Sequence, residues 1–334
     1  MKTHAKPLCL AVLSLSVLLL PVVQDSSFGQ APVKLRFASH SLGSSYYLMG
    51  AAIAEMLKKR LPPGSTVDVL PYASSLGNTK LVANKEAELG LGADTPNRWA
   101  WEGKEAFPKK LDNVRSLLGG MDTYWLAVMV RSKLNINSLD EVREKKMPLR
   151  IMVLPPGSLA EFGSRRLLEA YGISAKDLTS WGGSIANNTF EVIASMMQDG
   201  RADCFIHLIT PGHPTVMEMA VTTGIKFLSL NDEVINRMKA SGWYPNVMPA
   251  GTFKGQYNDV KTVGITTGII TTKDFSDDLA YLVTKTVCEN KDELVKVYDA
   301  CKVFDPKTAW TDEKNGIPIH PAAVKFYKEK KWMP

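Results

Sequence analysis

The residues able to do chemistry gather in four short stretches, Ser39–Ser45, Ser74–Asn78, Pro156–Ser158 and Ser184–Asn188. Each is rich in Ser, Gly or Asn, and each stands after a strand-like run and before a helix-like one. A helix N-terminus carries unpaired N–H groups and the positive end of the helix dipole, so such a loop can hold a carboxylate or a phosphate. Ser hydroxyls and Asn amides add hydrogen bonds without a fixed charge. Any one of these loops, taken alone, is more simply a helix cap or a turn. Four of them on the same edge of an open α/β sheet mark the place where such sheets bind ligands.

His40 sits inside the first loop, where it can donate to an anion or satisfy the loop backbone. Tyr46-Tyr47 follow, and one of the two rings is expected to face the cleft. Arg98, close to Asp94, is either a partner for a solute carboxylate or an ordinary solvated arginine. Catalytic patterns are missing: there is no G-x-S-x-G elbow, H-E-x-x-H or P-loop, and the first loop is not G-x-G-x-x-G. Cys204, His207 and His213 do not make a metal set. Residues 204 and 207 of one strand face opposite sides, and no second cysteine pair completes a zinc site. No catalytic residue, metal or cofactor is expected.

The elements that must carry these loops alternate along the chain. Val33–Ala38 alternates apolar and polar residues as a strand does, and in Tyr46–Arg60 the residues Met49, Ala52, Ile53, Met56 and Leu57 mark one helical face. Val67 and Val69 mark a second strand, a helix runs from Ser74 to about Lys85, and Glu88–Ala93 is a third strand. The same order returns with strand Leu149–Leu154, helix Ala160–Tyr171, a helix bearing Phe190, Ile193 and Met197, and strand Asp203–Leu208. Repeated β-loop-α units predict an α/β protein with mainly parallel sheets. Two longer extended runs, Tyr124–Arg131 and Val263–Thr271, lack a helix after them and suit a pair of strands crossing between two lobes. One lobe is therefore expected at 30–125 plus 255–334, and the other at 126–254.

The chain has 334 residues, 45% hydrophobic and 22% charged, enough for two lobes with cores of their own. A net charge of +6 over this length is too mild for nucleic acid and suits an anionic small molecule. The N-terminus differs from the rest. Lys2 and Lys6 precede the apolar run Leu8–Leu20, Pro21 breaks it, and Ser26-Ser27-Phe28-Gly29 supplies a small-residue exit. This pattern predicts a signal peptide at 1–29, cleaved near Gly29, and export to the periplasm. Of the later cysteines, Cys288 and Cys301 can bridge, or all three with Cys204 can be buried free thiols.

Several blocks in a fixed order resemble the TAXI family, the extracytoplasmic solute-binding subunits of one class of TRAP transporter. Ser39–Tyr47 reads S-H-S-L-G-S-S-Y-Y, similar to the family's T-G-G-T-G-G-T-Y-Y-like opening. Ser74–Leu91 resembles its second block, Pro155–Glu161 its P-P-G-S-x-x-E, Met197–Asp203 its L-x-x-G-x-I-D-A and Pro249–Gln256 its P-A-G-T-Y-P-G-Q. Ile317–Tyr327 is similar to its L-P-L-H-P-G-A-x-x-Y-Y.

The resemblance implies a type II periplasmic-binding-protein fold whose two α/β lobes close over a small carboxylate or amino acid, glutamate-like or dicarboxylic. The solute would pass to a membrane-embedded TRAP permease, and the receptor would be a monomer. Carried over residue by residue, Ser39, Ser41, Gly43, Ser44, Ser45 and Tyr47 would line the first-lobe side, with Ser74, Ser75 and Asp94 beside them. Pro156, Gly157, Ser158 and the Asn187-Asn188 loop would close from the second lobe. The chain departs from the family at His40, Ser41, Leu42 and Ser44, which replace Gly, Gly, Thr and Gly, and at Asn97-Arg98, which replaces less basic residues. A more cationic mouth favours a second carboxylate on the solute. A same-fold receptor for an ABC importer or a sensor kinase is the alternative, and an exported enzyme with His40 or His207 as base a remoter one.

Overall fold

The structure, a computed structural model, describes residues 1, 31–71 and 74–334. The expected leader falls on residues outside the described ones. The first half runs β1 (Lys34–Ala38), α1 (Ser45–Lys58), β2 (Thr66–Leu70), α2 (Ser75–Ala83), β3 (Leu89–Ala93), α3 (Asp94–Glu102), β4 (Val114–Leu118) and β5 (Tyr124–Arg131). It continues with α4 (Leu139–Glu144), β6 (Arg150–Val153), α5 (Leu159–Ala170), α6 (Ala175–Ser180), β7 (Ser184–Asn187), α7 (Phe190–Gln198) and β8 (Cys204–Ile209). Then follow α8 (Pro214–Thr222), β9 (Ile225–Leu228), α9 (Asp232–Ala240), β10 (Tyr244–Met248), β11 (Val260–Ile265) and β12 (Thr267–Thr272). The chain ends in α10 (Asp277–Glu289), α11 (Lys291–Val297), two 3-10 turns, α12 (Asp312–Asn315) and α13 (Pro321–Glu329).

These elements follow from local pattern. The apolar face expected on α1 is the face it buries, with Met49, Ile53 and Leu57 fully enclosed. Ser44 caps that helix by accepting the Tyr47 amide at 3.1 Å, which satisfies one of its orphan N–H groups. The inner face of α5 is small where the sequence is small: a Cβ on Gly163 would lie 2.7 Å from Cη2 of Trp243, so only glycine lets that helix sit so close.

Two sheets carry the fold. The five-stranded sheet has the order β2-β1-β3-β12-β4, and the seven-stranded one the order β10-β11-β5-β8-β6-β7, with β9 also paired to β5. Parallel pairing is confined to β2-β1-β3 and β7-β6-β8, where each step passes through a helix. Strands β5 and β12 run antiparallel to their neighbours. Each sheet is thus mixed rather than mainly parallel. The expectation missed this because a parallel neighbour needs a crossover connection, whereas β5 and β12 arrive directly from the other sheet.

The chain passes between the sheets twice, at 119–123 and at Thr266. The run expected as one strand over Val263–Thr271 is divided there: β11 lies in the larger sheet and β12 in the smaller. The return to the first sheet therefore comes at Thr266, eleven residues beyond the boundary expected at 255. Thr266 leaves the ladder because its polar groups are used elsewhere. Its N–H donates to Asp94 Oδ1 at 3.2 Å, and its hydroxyl to the Asp122 carbonyl at 2.6 Å. Gly268 beside it has no room for a side chain, since a Cβ would overlap the Leu118 carbonyl.

Among the described residues Cys204, Cys288 and Cys301 are buried free thiols, so the bridge that the sequence allowed between the last two is not made. Cys288 Sγ instead lies 3.8 Å from Tyr327 OH, and Cys301 Sγ 4.0 Å from Met49 Sδ.

Candidate functional site

A cavity holding about 390 Å³ of empty space out to its mouth lies between strand ends of the two sheets. The smaller sheet's half supplies His40 and Ser44 from the β1–α1 connection, Ser45 and Tyr46 from the first turn of α1, and Ser74 and Ser75 from the start of α2. The larger sheet supplies Tyr124 from β5, Leu159 and Ala160 from the start of α5, and Ile265 from β11. His207 and Leu208 come from β8, and His213 from the turn that caps α8. Helices α1, α2 and α5 all begin at this cavity, so three positive dipole ends meet there. No Asp, Glu, Lys or Arg is among the described residues that line it.

Several polar groups in the wall have no partner. Ser45 Oγ, Tyr124 OH, His207 Nδ1 and His213 Nδ1 are buried with no well-formed hydrogen bond among the described residues, although Ser45 and Tyr124 lie beside the Tyr298 hydroxyl. Buried polar atoms are nearly always paired, and a cavity wall is where a ligand supplies what the protein does not. Tyr46 and Tyr124 meet edge to face at 5.4 Å, and Thr267 donates to Tyr46 OH at 3.3 Å. Burial raises both phenol pKa values, so both keep their protons.

The histidines are held neutral. Burial pushes His40 down to about 4 and His213 down to about 3, the second also through repulsion from His40. Burial, then His213 and His40, lower His207 well below the ordinary histidine range. The Ser41 amide donates to His40 Nδ1 at 2.7 Å, so the neutral ring carries its proton on Nε2. His207 and His213 face each other with Nε2 atoms 3.3 Å apart. Phe190 packs against all three rings, at 6.1 Å from His40, 5.0 Å from His207 and 5.3 Å from His213.

Of the residues that the sequence pointed to, His40, Ser44, Ser45, Ser74 and Ser75 come together in the cavity wall. Ser39 and Ser41 shape the loop behind it. Ser39 Oγ donates to the Tyr46 carbonyl at 2.8 Å, and the Ser41 carbonyl accepts the Ser44 hydroxyl at 2.7 Å. Gly43 makes the turn, with φ +82°. Tyr47, expected to line the cleft, does not; its neighbour Tyr46 does, because the first helical turn points the earlier ring inward. Pro156 and Gly157 stand exposed at the mouth, where the Gly157 carbonyl accepts Ser74 Oγ from the opposite side at 3.4 Å.

The remaining candidates do not line the cavity. Ser158 is the N-cap of α5, accepting the Glu161 amide at 3.1 Å. Asn187 ends β7, so the stretch expected as a loop is an edge strand, and its amide donates to the Leu154 carbonyl at 2.6 Å. Asn188 Nδ2 is spent 3.8 Å from Met152 Sδ. Asp94 is buried at the crossing, where its carboxylate accepts the Thr95 and Thr266 amides, and burial raises its pKa to about 7. Arg98 reaches outward to Asp312 Oδ2 at 3.0 Å.

Tyr124, Leu159, Ala160, His207, Leu208, His213 and Ile265 complete the wall, and no loop pattern marked them as ligand residues. Tyr124 and Ile265 lie at strand ends, a position that is their only signal in the sequence, whereas His207 lies inside β8.

The two sheets, their direct crossings and the cavity between them define a two-lobed periplasmic-binding-protein fold, and solved structures bear this out. BugD, a periplasmic binding protein, superposes with a TM-score of 0.54 at 14% identity, over 91% of this chain and 96% of its own. MatC from Rhodopseudomonas palustris, solved with malate, gives 0.55 at 12% identity over 90% and 97%. A second protein of that organism, solved with adipate, gives 0.53 at 10% over 90% and 96%. The chain belongs to the NMT1-like family, whose profile matches residues 37–330.

Proposed function

We propose that this protein is a periplasmic solute receptor that captures a small organic anion, a carboxylate or amino acid of the glutamate or dicarboxylate kind. The observation that carries the reading is the cavity wall. Three helix N-termini and unpartnered hydroxyls face one space to which both sheets contribute, with no fixed charge among the described lining residues to oppose or replace an anion. Bound malate and adipate in two proteins of the same fold are consistent with it.

The sheets act as the cores of two lobes hinged at 119–123 and Thr266. A solute that touches both lobes only when they are closed shifts the population to the closed form. The protein performs no reaction. Ser41 Oγ lies 3.2 Å from His40 Nδ1, but that nitrogen already accepts the Ser41 amide and cannot serve as a base. The receptor works as a monomer and hands its solute to a TRAP permease, as the TAXI-like blocks imply. A fused TRAP permease encoded beside the gene supports that partner, and an ATPase subunit there reassigns it to an ABC importer.

The test is a thermal-shift and calorimetric screen of malate, adipate and glutamate on the leaderless protein. A ligand that binds N and not U raises the melting temperature with concentration. No shift from any of the three at millimolar concentration removes the carboxylate reading.

A further inference from the structure

We infer that the His207–His213 pair takes up one proton when an anionic solute enters the cavity, so that the receptor binds a carboxylate together with a proton and holds it more tightly as pH falls. This rests on the carboxylate reading above.

The geometry of the pair limits it to a single added charge. Its Nε2 atoms lie 3.3 Å apart, with the rings nearly perpendicular at 86°. Two N–H groups cannot point at each other across that gap, and two bare nitrogens repel. The neutral pair therefore shares one hydrogen, donated by one Nε2 to the other. That leaves a bare Nδ1 on the donor ring and an Nδ1–H on the acceptor ring, and neither has a partner among the described residues. One proton added to the bare Nδ1 makes the donor ring an imidazolium and turns the contact into a charge-assisted N–H···N bond. A second proton would put hydrogens on both facing Nε2 atoms, which the contact forbids.

Among the described residues, no acidic side chain lines the cavity beside the pair to compensate that charge. Strand β5 sets Ala127 opposite His207, α7 contributes Phe190, and Phe205 of β8 stacks on His207 at 5.2 Å. Helix α5 brings Leu159 and Ala160 to the same cavity, the β1–α1 connection brings His40 and Ser44, and the first turn of α1 brings Ser45 and Tyr46. Among the described residues, the titratable neighbours that act on His207 are His213 and His40, the one that acts on His213 is His40, and each would oppose an added proton. Tyr46 and Tyr124, the other titratable groups in the wall, stay protonated. An anion bound in the cavity supplies the counter-charge, and within about 4–6 Å it favours the charged imidazole. His40 does not share in the uptake. Its Nδ1 accepts the Ser41 amide, and protonation would break that bond, so it serves as a neutral donor through Nε2.

The experiment is calorimetry on the wild-type protein with malate, adipate and glutamate, each at pH 6 and pH 8 and in two buffers of different ionisation enthalpy. The side carboxylates of these solutes are mainly ionised from about pH 6 upward, so they contribute little to the exchange. Uptake approaching one proton per solute at pH 6, falling towards pH 8, with affinity higher at pH 6, supports the pair. His207→Gln and His213→Gln then bind with no proton exchange and equal affinity at the two pH values. His40→Asn binds more weakly yet keeps the uptake. Binding without proton exchange and without pH dependence overturns this inference and leaves the carboxylate reading standing. Uptake that survives both glutamine variants, or that exceeds one proton, overturns the assignment to the pair. No binding at either pH sinks the carboxylate reading and this inference with it. Should one glutamine variant fail to fold, the other decides, since Asp94 and Asp122 also titrate near pH 7 and wild-type exchange alone does not assign the proton.

Discussion

Thr266 and Asp122 hold each other at the point where the chain passes between the sheets. The Thr266 hydroxyl donates to the Asp122 carbonyl at 2.6 Å, and the next amide, Thr267 N–H, donates to Asp122 Oδ1 at 3.1 Å. Asp94 completes the arrangement from the other side, accepting Thr266 N–H at 3.2 Å. The two crossing segments are thus tied to one another and to the start of α3.

Asp94 and Asp122 are both fully buried there, and burial raises each pKa to about 7. An acid raised in the folded state binds its proton more tightly folded than unfolded. Its stabilising contribution is complete below the unfolded value of 3.8 and is lost as pH rises through about 7. Asp94→Asn and Asp122→Asn should each melt higher than wild type at pH 8 and lose part of the decline between pH 4 and 7. A shift of that size bounds the gain at roughly 4 kcal/mol. Chemical denaturation at pH 5 and pH 8 checks it, and an unchanged pH slope in both variants contradicts the burial argument.

The three histidines of the cavity wall act in the opposite direction. Their folded pKa values are lowered, so the stability they contribute is present above the unfolded value of 6.5 and is lost as pH falls towards about 4 and below. His213→Gln and His40→Asn should each flatten the acid side of a melting-temperature profile between pH 6.5 and 4. Profiles parallel to wild type would show that the rings are not held neutral.

Ser75 and Ser158 looked alike as loop serines but are placed differently. Ser75 lines the cavity and accepts the Ala93 amide at 3.0 Å, whereas Ser158 only caps α5. Ser75→Ala should weaken solute binding by about 1–2 kcal/mol. Ser158→Ala should cost about 1 kcal/mol of stability and leave affinity within a factor of two or so. Paired titrations and denaturant melts of the two variants separate cap from site.

Trp99 of α3 joins the two halves away from the cavity wall. It packs at 5.3 Å from Phe162 and 6.1 Å from Trp243, and its indole N–H donates to the Ser241 carbonyl at 2.9 Å. Trp99→Ala should lose about 3–5 kcal/mol of stability. Gly163→Ala, pressed against the same Trp243, should lose about 1–3 kcal/mol. A loss below 1 kcal/mol in both would mean that this contact relaxes freely.

Much of the fold is legible because secondary structure is written in short-range periodicity. The buried faces of α1, α5 and α7 were each visible as apolar or small residues three and four apart. The site is legible only on one side. Ser44, Ser45, Ser74 and Ser75 precede helices, and a helix start advertises its chemistry locally. Tyr46 against Tyr47 could not be settled in the same way, since adjacent helical residues differ by a rotation that only packing fixes.

By itself the sequence determined an alternating α/β chain with two long strands free of a following helix, and with serine-rich loops at helix starts. Those properties depend on neighbours a few residues away. Only the tertiary structure decided that the second long run divides at Thr266, that Arg98 turns outward to Asp312, and that His207 meets His213 beside His40. Each of these depends on which strand lies next to which. That order is set by burying both sheets at once, and no local pattern of residues encodes it.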